Sequence, residues 1–189
     1  MNAAASTKGA ATDAYAFLLE NLGKVLSVDR TREIAETVDV VVSAKHVFVY
    51  GVGRSGMAAR AFAMRLVQLG IDCYFIGETI TPVVHEGDAV LVVSNTGATM
   101  SANQVANIAR RVGAKVVSVT GVRGSKLAHA SNIVLLLQGN GGPDQSRLAP
   151  LGTLFEDACL ILLDGIVAQV MERLQQTEAD MRARHAIMV

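Results

Sequence analysis

"VYGVGRSGMAARAFAMRLVQLG", residues Val49–Gly70, starts as an apolar run, breaks into glycines, then resumes its apolar residues at helical spacing. Gly51, Gly53 and Gly56 spell G-x-G-x-x-G between a strand pattern and a helix pattern. Such a turn brings backbone N–H groups and the positive end of a helix against a phosphate. Alone, it suits a nicotinamide or flavin dinucleotide as well as it suits a smaller anion, and the surrounding residues must decide.

Outward from this stretch, short β-branched or aromatic runs recur: Val47–Tyr50, Cys73–Ile76, Ala89–Val93, Lys115–Val119 and Ile133–Leu137. Each is closed by Gly, Ser, Thr or Asn, as strands are. They are apolar throughout rather than alternating, which requires cover on both faces. Helical spacing fills most of the gaps, over Met57–Leu69, Ser101–Val112 and the short Ser125–Ala130. Strand, helix, strand in succession predicts a parallel sheet with right-handed crossovers. The expected fold is α/β, a three-layer sandwich around a five-stranded parallel sheet in flavodoxin-like order 2-1-3-4-5.

Before the first strand, Ala14–Ser43 repeats apolar residues at three and four, predicting a pair of leading helices. After the last strand comes the polar, glycine-rich "QGNGGPDQSRLAP" (Gln138–Pro150), a segment of the kind found in lids or disordered loops. From Leu151 the longest helical pattern of the chain begins. The 189 residues thus read as one domain: leading helices over 1–45, a parallel α/β core over 46–150, and a terminal helix with its tail over 151–189. The small-residue N-terminus reads as disordered.

Seventeen basic and seventeen acidic side chains cancel, and no Lys/Arg block stands out, which argues against a nucleic-acid partner. Half of the residues, 51%, are hydrophobic, yet no apolar stretch is long and uncharged enough to span a membrane. Cys73 and Cys159 lie far apart in apolar runs without metal-ligand spacing and read as buried free thiols, with no metal expected. Without a signal peptide the expected location is cytoplasmic.

In a 2-1-3 order the loops after the first and third strands face one another. The third strand is followed by "SNTGATMS", which sets Ser94, Asn95, Thr96, Thr99 and Ser101 around Gly97. Two helix N-termini with hydroxyls beside them make a compact cradle for a phosphate monoester, and Arg54 and Ser55 of the first loop would join it. The alternative is that these hydroxyls only cap their helices. Two such loops together favour the cradle. A dinucleotide needs an acid at the end of the second strand, and Glu78 keeps that reading open. No nucleoside-triphosphate P-loop motif is present.

"GVGRSG", "SNTGAT" and the helix opening "APLGTLFE" resemble the sugar isomerase (SIS) domain. "GETITP" and the tail "MRARHA" narrow the resemblance to the 6-phospho-3-hexuloisomerases of the ribulose monophosphate pathway, over essentially the whole chain. The resemblance implies a cofactor-free homotetramer that interconverts D-arabino-hex-3-ulose 6-phosphate and D-fructose 6-phosphate beside a formaldehyde-fixing synthase. Other SIS aldose–ketose isomerases, or a sugar-phosphate sensor without catalysis, are the competing roles. Family members usually read S-G-S-G-E-T where this chain has Ser94–Thr99, so Ala98 replaces an acid while the hydroxyls at Ser94, Thr96 and Thr99 remain.

Moving a carbonyl from C3 to C2 takes a proton from C2 and returns one to C3 through an enediolate, work for one carboxylate base. The resemblance points to Glu156. Read from spacing alone, Glu156 shares a stripe with Leu160, Leu163 and Val167 on a helix apolar nearly all round, where desolvation strengthens a base. A solvent-facing glutamate set for the helix dipole is the alternative. By resemblance His185 assists, reaching the pocket in an oligomer. His46, His85 and His129 are given no role. Gly51, Gly53, Arg54, Ser55, Ser94, Asn95, Thr96, Gly97 and Thr99 are expected to bind substrate, with Glu78 and Thr79 on sugar hydroxyls.

Overall fold

Val47, Val49, Leu91, Val93, Val117 and Val119 pack into one apolar core, and Phe48, Val90, Val92 and Val116 into a second one. Successive side chains of a strand point to opposite faces, so strands apolar at every position divide their side chains between two cores. The computed structural model, which describes residues 7–187, places these residues in β1 (Val47–Gly51), β2 (Cys73–Phe75), β3 (Ala89–Val93), β4 (Lys115–Thr120) and β5 (Ile133–Leu136). All pairs are parallel and the order is β2-β1-β3-β4-β5, as expected. Val47 and Gly51 of β1 sit in register with Ala89 and Val93 of β3, so the loops after β1 and β3 leave the sheet side by side.

Helix α3 (Gly53–Gln68) covers one face together with α1 (Thr7–Leu26), α2 (Thr31–Ser43) and α7 (Thr153–Arg173). The other face is covered by α4 (Met100–Arg111) and α5 (Lys126–His129). Short α6 (Gln145–Leu148) precedes α7, and α8 (Glu178–Ala183) ends the described chain. The three-layer α/β sandwich expected from the sequence is the fold observed. Helix α1 starts earlier than its apolar spacing suggested, while the N-terminal stretch read as disordered lies mostly outside the described residues.

Three local expectations need correction. Helix α3 begins at Gly53 rather than Met57, so the glycine stretch is itself the first helical turn. Its glycines serve close approach: a Cβ on Gly56 would lie 2.5 Å from the Gly51 carbonyl oxygen, and one on Gly51 would lie 2.8 Å from the Gly56 nitrogen. Gln138–Pro150 is laid against α1 instead of hanging free. A Cβ on Gly139 would meet Val25 Cγ2 at 2.4 Å, and one on Gly141 would meet Phe17 Cζ at 2.4 Å.

The third correction concerns α7, which is not apolar-buried all round. Leu154, Phe155, Ala158, Leu162, Leu163, Ile166 and Val167 are buried, but Leu160 and Ile161 remain 40% and 46% exposed. Helices α1, α2 and α3 pack on α7 and still leave an outward apolar strip. Met57 and Met64 of α3 are exposed as well, and Met57 lines the same groove as Leu160.

Candidate active site

The carboxyl ends of β1 and β3 deliver the two loops to one edge of the sheet, where ligands of doubly wound folds bind. After β1 the chain turns through Gly53 at φ +58 into α3, whose N-cap residue is Val52 and whose first turn has no side-chain cap. After β3 it turns through Gly97 at φ +57 into α4. Thr99 is the N-cap residue of α4, yet its hydroxyl does not cap the helix but lies 3.0 Å from Ser94 Oγ. Thr96 Oγ1 accepts the Ala98 N–H at 3.2 Å. The neighbouring α5, by contrast, is capped by Ser125. Helix-capping therefore does not explain the hydroxyls of the second loop, and both helices present first-turn N–H groups without a side-chain cap.

The second loop is braced from below. Leu127 donates its N–H to the Gly97 carbonyl at 3.1 Å, and Gly121 N–H and Thr120 Oγ1 both donate to the Asn95 carbonyl, at 2.9 and 3.2 Å. A Cβ on Gly97 would stand 2.1 Å from Ser125 Oγ, so glycine is needed there for space as well as for its left-handed φ. Ser55 and Ser94 are buried at the bases of their loops.

Glu156 touches the first loop and borders a space shared with the second. It sits in the first turn of α7, its side chain 16% exposed, and Arg54 Nη1 of the first loop lies 3.1 Å from its Oε2. On the other side a Cβ built on Gly152 would be 3.1 Å from Glu156 Oε1 and 3.5 Å from Asn95 Nδ2, so the amide of the second loop and the carboxylate flank the same small space. Asn95 also lines a cavity of about 60 Å³ bounded by Gly121, Gly139, Gln145 and Leu151. Leu151 is itself unusual, with φ +57 and an almost fully exposed side chain at the entrance to α7. Behind Glu156 the buried Cys159 thiol is pushed up to about 12, mainly by desolvation and further by the Glu156 charge, so it stays a neutral thiol. Glu156 thus stands beside the first loop with one oxygen on the Arg54 guanidinium, while the other borders the space next to Gly152.

Residues 41–142, which contain both loops, match the family model described as SIS domain. The chain belongs to the SIS domain family. This SIS domain is 36% identical to the 3-hexulose-6-phosphate isomerase of Methanocaldococcus jannaschii, over 78% of its own length and 79% of the relative's. It is 33% identical to the 3-hexulose-6-phosphate isomerase of Methylomonas aminofaciens, over 79% and 83%. Among solved structures, a Methanococcus jannaschii protein described as inferring a molecular function of 3-hexulose-6-phosphate isomerase superposes with a TM-score of 0.80 at 31% identity, over 93% of this chain and 97% of that one. The resemblance to the hexuloisomerase branch is therefore borne out.

Not every expected residue of the SIS domain reaches the carboxylate. Arg54, expected in the phosphate cradle, is turned to α7, where it also donates to Thr153 Oγ1 at 2.9 Å and to Asp157 Oδ1 at 3.1 Å. Glu78, which a dinucleotide would need for a ribose, is ion-paired with Arg60, whose guanidinium stacks 3.5 Å over Phe75. Thr79 is exposed in the same loop. Within one chain His185 lies at the opposite edge of the sheet, in a groove with Arg65, Gln68, Glu178 and Met181. His46 is also at that edge, with Nδ1 3.0 Å from the buried Asp88. Cys73, held at the sheet edge and expected to be buried, is half-buried, its thiol also pushed up to about 12 by desolvation. Among the described residues no group of three His, Cys, Asp or Glu is arranged to hold a metal ion, and no helix is long and apolar enough to cross a membrane.

Sequence reasoning missed Thr153 and Asp157. The signal was the adjacent pair Glu156–Asp157 in "GTLFED", but neighbouring residues on a helix diverge and do not face each other. Only a forked donor arriving from another element links them, and its origin is visible in three dimensions alone.

Proposed function

We propose that the protein is a 6-phospho-3-hexuloisomerase, interconverting D-arabino-hex-3-ulose 6-phosphate and D-fructose 6-phosphate without a cofactor. The observation that carries this reading is the placement of Glu156 against both anion loops, with Oε2 on Arg54 and Oε1 facing the space shared with Asn95. The relatives' names supply the substrate. The phosphate takes the first-turn N–H groups of α3 and α4 together with the hydroxyls of Ser55, Ser94, Thr96 and Thr99, with Gly51, Gly53 and Gly97 shaping the turns. This fixes one end of the sugar, so that C2 and C3 come to the carboxylate.

Glu156 removes the C2 proton of the 3-ketose, the freed electron pair forms the C2–C3 double bond and the carbonyl electrons move onto O3; the O2 hydroxyl proton passes to O3, and the same carboxyl returns its proton to C3 as the C2 carbonyl forms. A single base on one face of the enediolate serves both carbons. Asn95 Nδ2 supplies a donor for a developing enediolate oxygen. Glu78 and Thr79 lie on the loop after β2, available to sugar hydroxyls once Arg60 yields.

The exposed strip of Met57, Met64, Leu160 and Ile161 is the face on which a second copy packs, consistent with a homotetramer. Assembly is also the route by which His185, remote from Glu156 within its own chain, enters a neighbouring site. The activity belongs to the ribulose monophosphate pathway of formaldehyde fixation. The test is a coupled assay with formaldehyde, ribulose 5-phosphate and a hexulose phosphate synthase. Fructose 6-phosphate should appear only when this protein is added, and its absence at saturating synthase would overturn the assignment.

A further inference from the structure

Arg54 carries a positive charge from the first anion loop, yet both of its terminal nitrogens are engaged elsewhere: Nη1 with Glu156 Oε2 at 3.1 Å and Thr153 Oγ1 at 2.9 Å, Nη2 with Asp157 Oδ1 at 3.1 Å. Thr153 Oγ1 in turn donates to the Pro150 carbonyl at 2.7 Å, which ties the fork to the turn that opens α7. Arg54 and its two carboxylates sum to one negative charge, an environment that repels a phosphate dianion rather than drawing it in. Arg54 is also half exposed, where an isolated ion pair contributes at most about 1 kcal/mol, so stability is a weak reason for three partners.

We propose that Arg54 and Asp157 are positioning residues that hold Glu156 by one oxygen, and that Arg54 acts on the base and not on the phosphate. The inference rests on the isomerase reading above. Asp157 matters because it occupies the second arm of the fork. With Nη2 so held, Arg54 cannot pair bidentately with Glu156, and Oε1 stays directed at the space beside Gly152 and Asn95 where the reacting carbons must lie. A guanidinium is suited to this because its planar fork fixes direction as well as distance. Misplacing a reacting group by about 1 Å can cost about 100-fold in rate.

The test compares Arg54→Ala, Arg54→Lys, Asp157→Asn and Arg54→Ala/Asp157→Asn with the unaltered protein, by steady-state kinetics and by calorimetric titration with fructose 6-phosphate. The expected result is a fall in kcat of roughly 10- to 100-fold in each single variant, with the affinity for fructose 6-phosphate kept within about twofold. The double variant should be no slower than Arg54→Ala, since the two residues act as a unit. Asp157→Glu, which keeps the carboxylate charge, should recover most of the rate lost in Asp157→Asn. Loss of fructose 6-phosphate affinity in Arg54→Ala or Arg54→Lys with kcat retained would make Arg54 a phosphate ligand and overturn the proposal, as would an unchanged kcat in Asp157→Asn. Should the unaltered protein bind fructose 6-phosphate without turning over the 3-ketose, the substrate assignment fails, while the affinity of the Arg54 variants still decides the clamp. A protein that neither binds nor turns over overturns both.

Discussion

Asn95 Nδ2 and Glu156 Oε1 flank the space above Gly152, one from the loop after β3 and the other from the first turn of α7. In the proposed reaction the amide serves a developing enediolate oxygen and the carboxylate takes the proton. Glu156→Gln keeps the shape of the side chain but removes the base. It should bind fructose 6-phosphate with near-normal affinity by calorimetry and lose about 10²- to 10⁴-fold in kcat, the usual worth of a positioned general base. Near-normal turnover would exclude Glu156 as the base.

Gly97 is where the second loop is most constrained. Alanine there must take a left-handed φ of +57 and place its Cβ 2.1 Å from Ser125 Oγ and 2.3 Å from Ser125 Cβ. The backbone strain alone costs about 1–2 kcal/mol. Gly97→Ala should lower the thermal midpoint seen by circular dichroism and, because the displaced segment carries Asn95 and Thr99, abolish measurable fructose 6-phosphate binding. Ser125→Ala, which leaves its Cβ in place, should not rescue it.

Both cysteines test the packing independently of catalysis. Desolvation pushes the thiols of Cys73 and Cys159 up to about 12, so neither is a thiolate near neutrality. Iodoacetamide at pH 8 should leave Cys159 unmodified in the folded protein and alkylate it after denaturation, as read by mass spectrometry. The raised values also fix a sign. Between the unfolded thiol value of 9.0 and about 12 the unfolded chain binds fewer protons than the folded one, so this contribution to stability is intact below pH 9 and falls as pH rises. A midpoint that rose over that interval would contradict the burial of these groups.

If a neighbouring subunit supplies His185, the site is shared and inactive variants should complement one another. Glu156→Gln and His185→Ala, each nearly inactive alone, should regain a substantial fraction of activity when denatured together and refolded as mixed oligomers. No recovery, or full activity after deletion of residues 178–189, would remove His185 from the reaction.

The sheet was legible in the sequence because its strands are uninterrupted β-branched runs closed by turn residues, and a wholly apolar strand has few places to go but the middle of a parallel sheet. The anion loops were legible because glycine and hydroxyls cluster after β1 and β3. What the sequence concealed was direction. Arg54 lies in the loop that reads as phosphate-binding, yet its side chain reaches α7, because nothing in local spacing says which way a long flexible side chain turns. Glu156 was legible by resemblance, but its surroundings were not. The apolar stripe expected around it includes Leu160, which faces outward, and the carboxylate is paired with a cation from the distant first loop.

The most direct test of the central claim uses fructose 6-phosphate in deuterium oxide, with no second enzyme, followed by proton NMR. A base that works between C2 and C3 exchanges the C3 hydrogen of the 2-ketose with solvent, so the C3 signal should disappear with the protein and persist with Glu156→Gln. Exchange at C1, the mark of an aldose–ketose isomerase, or no exchange at any carbon, would contradict the account.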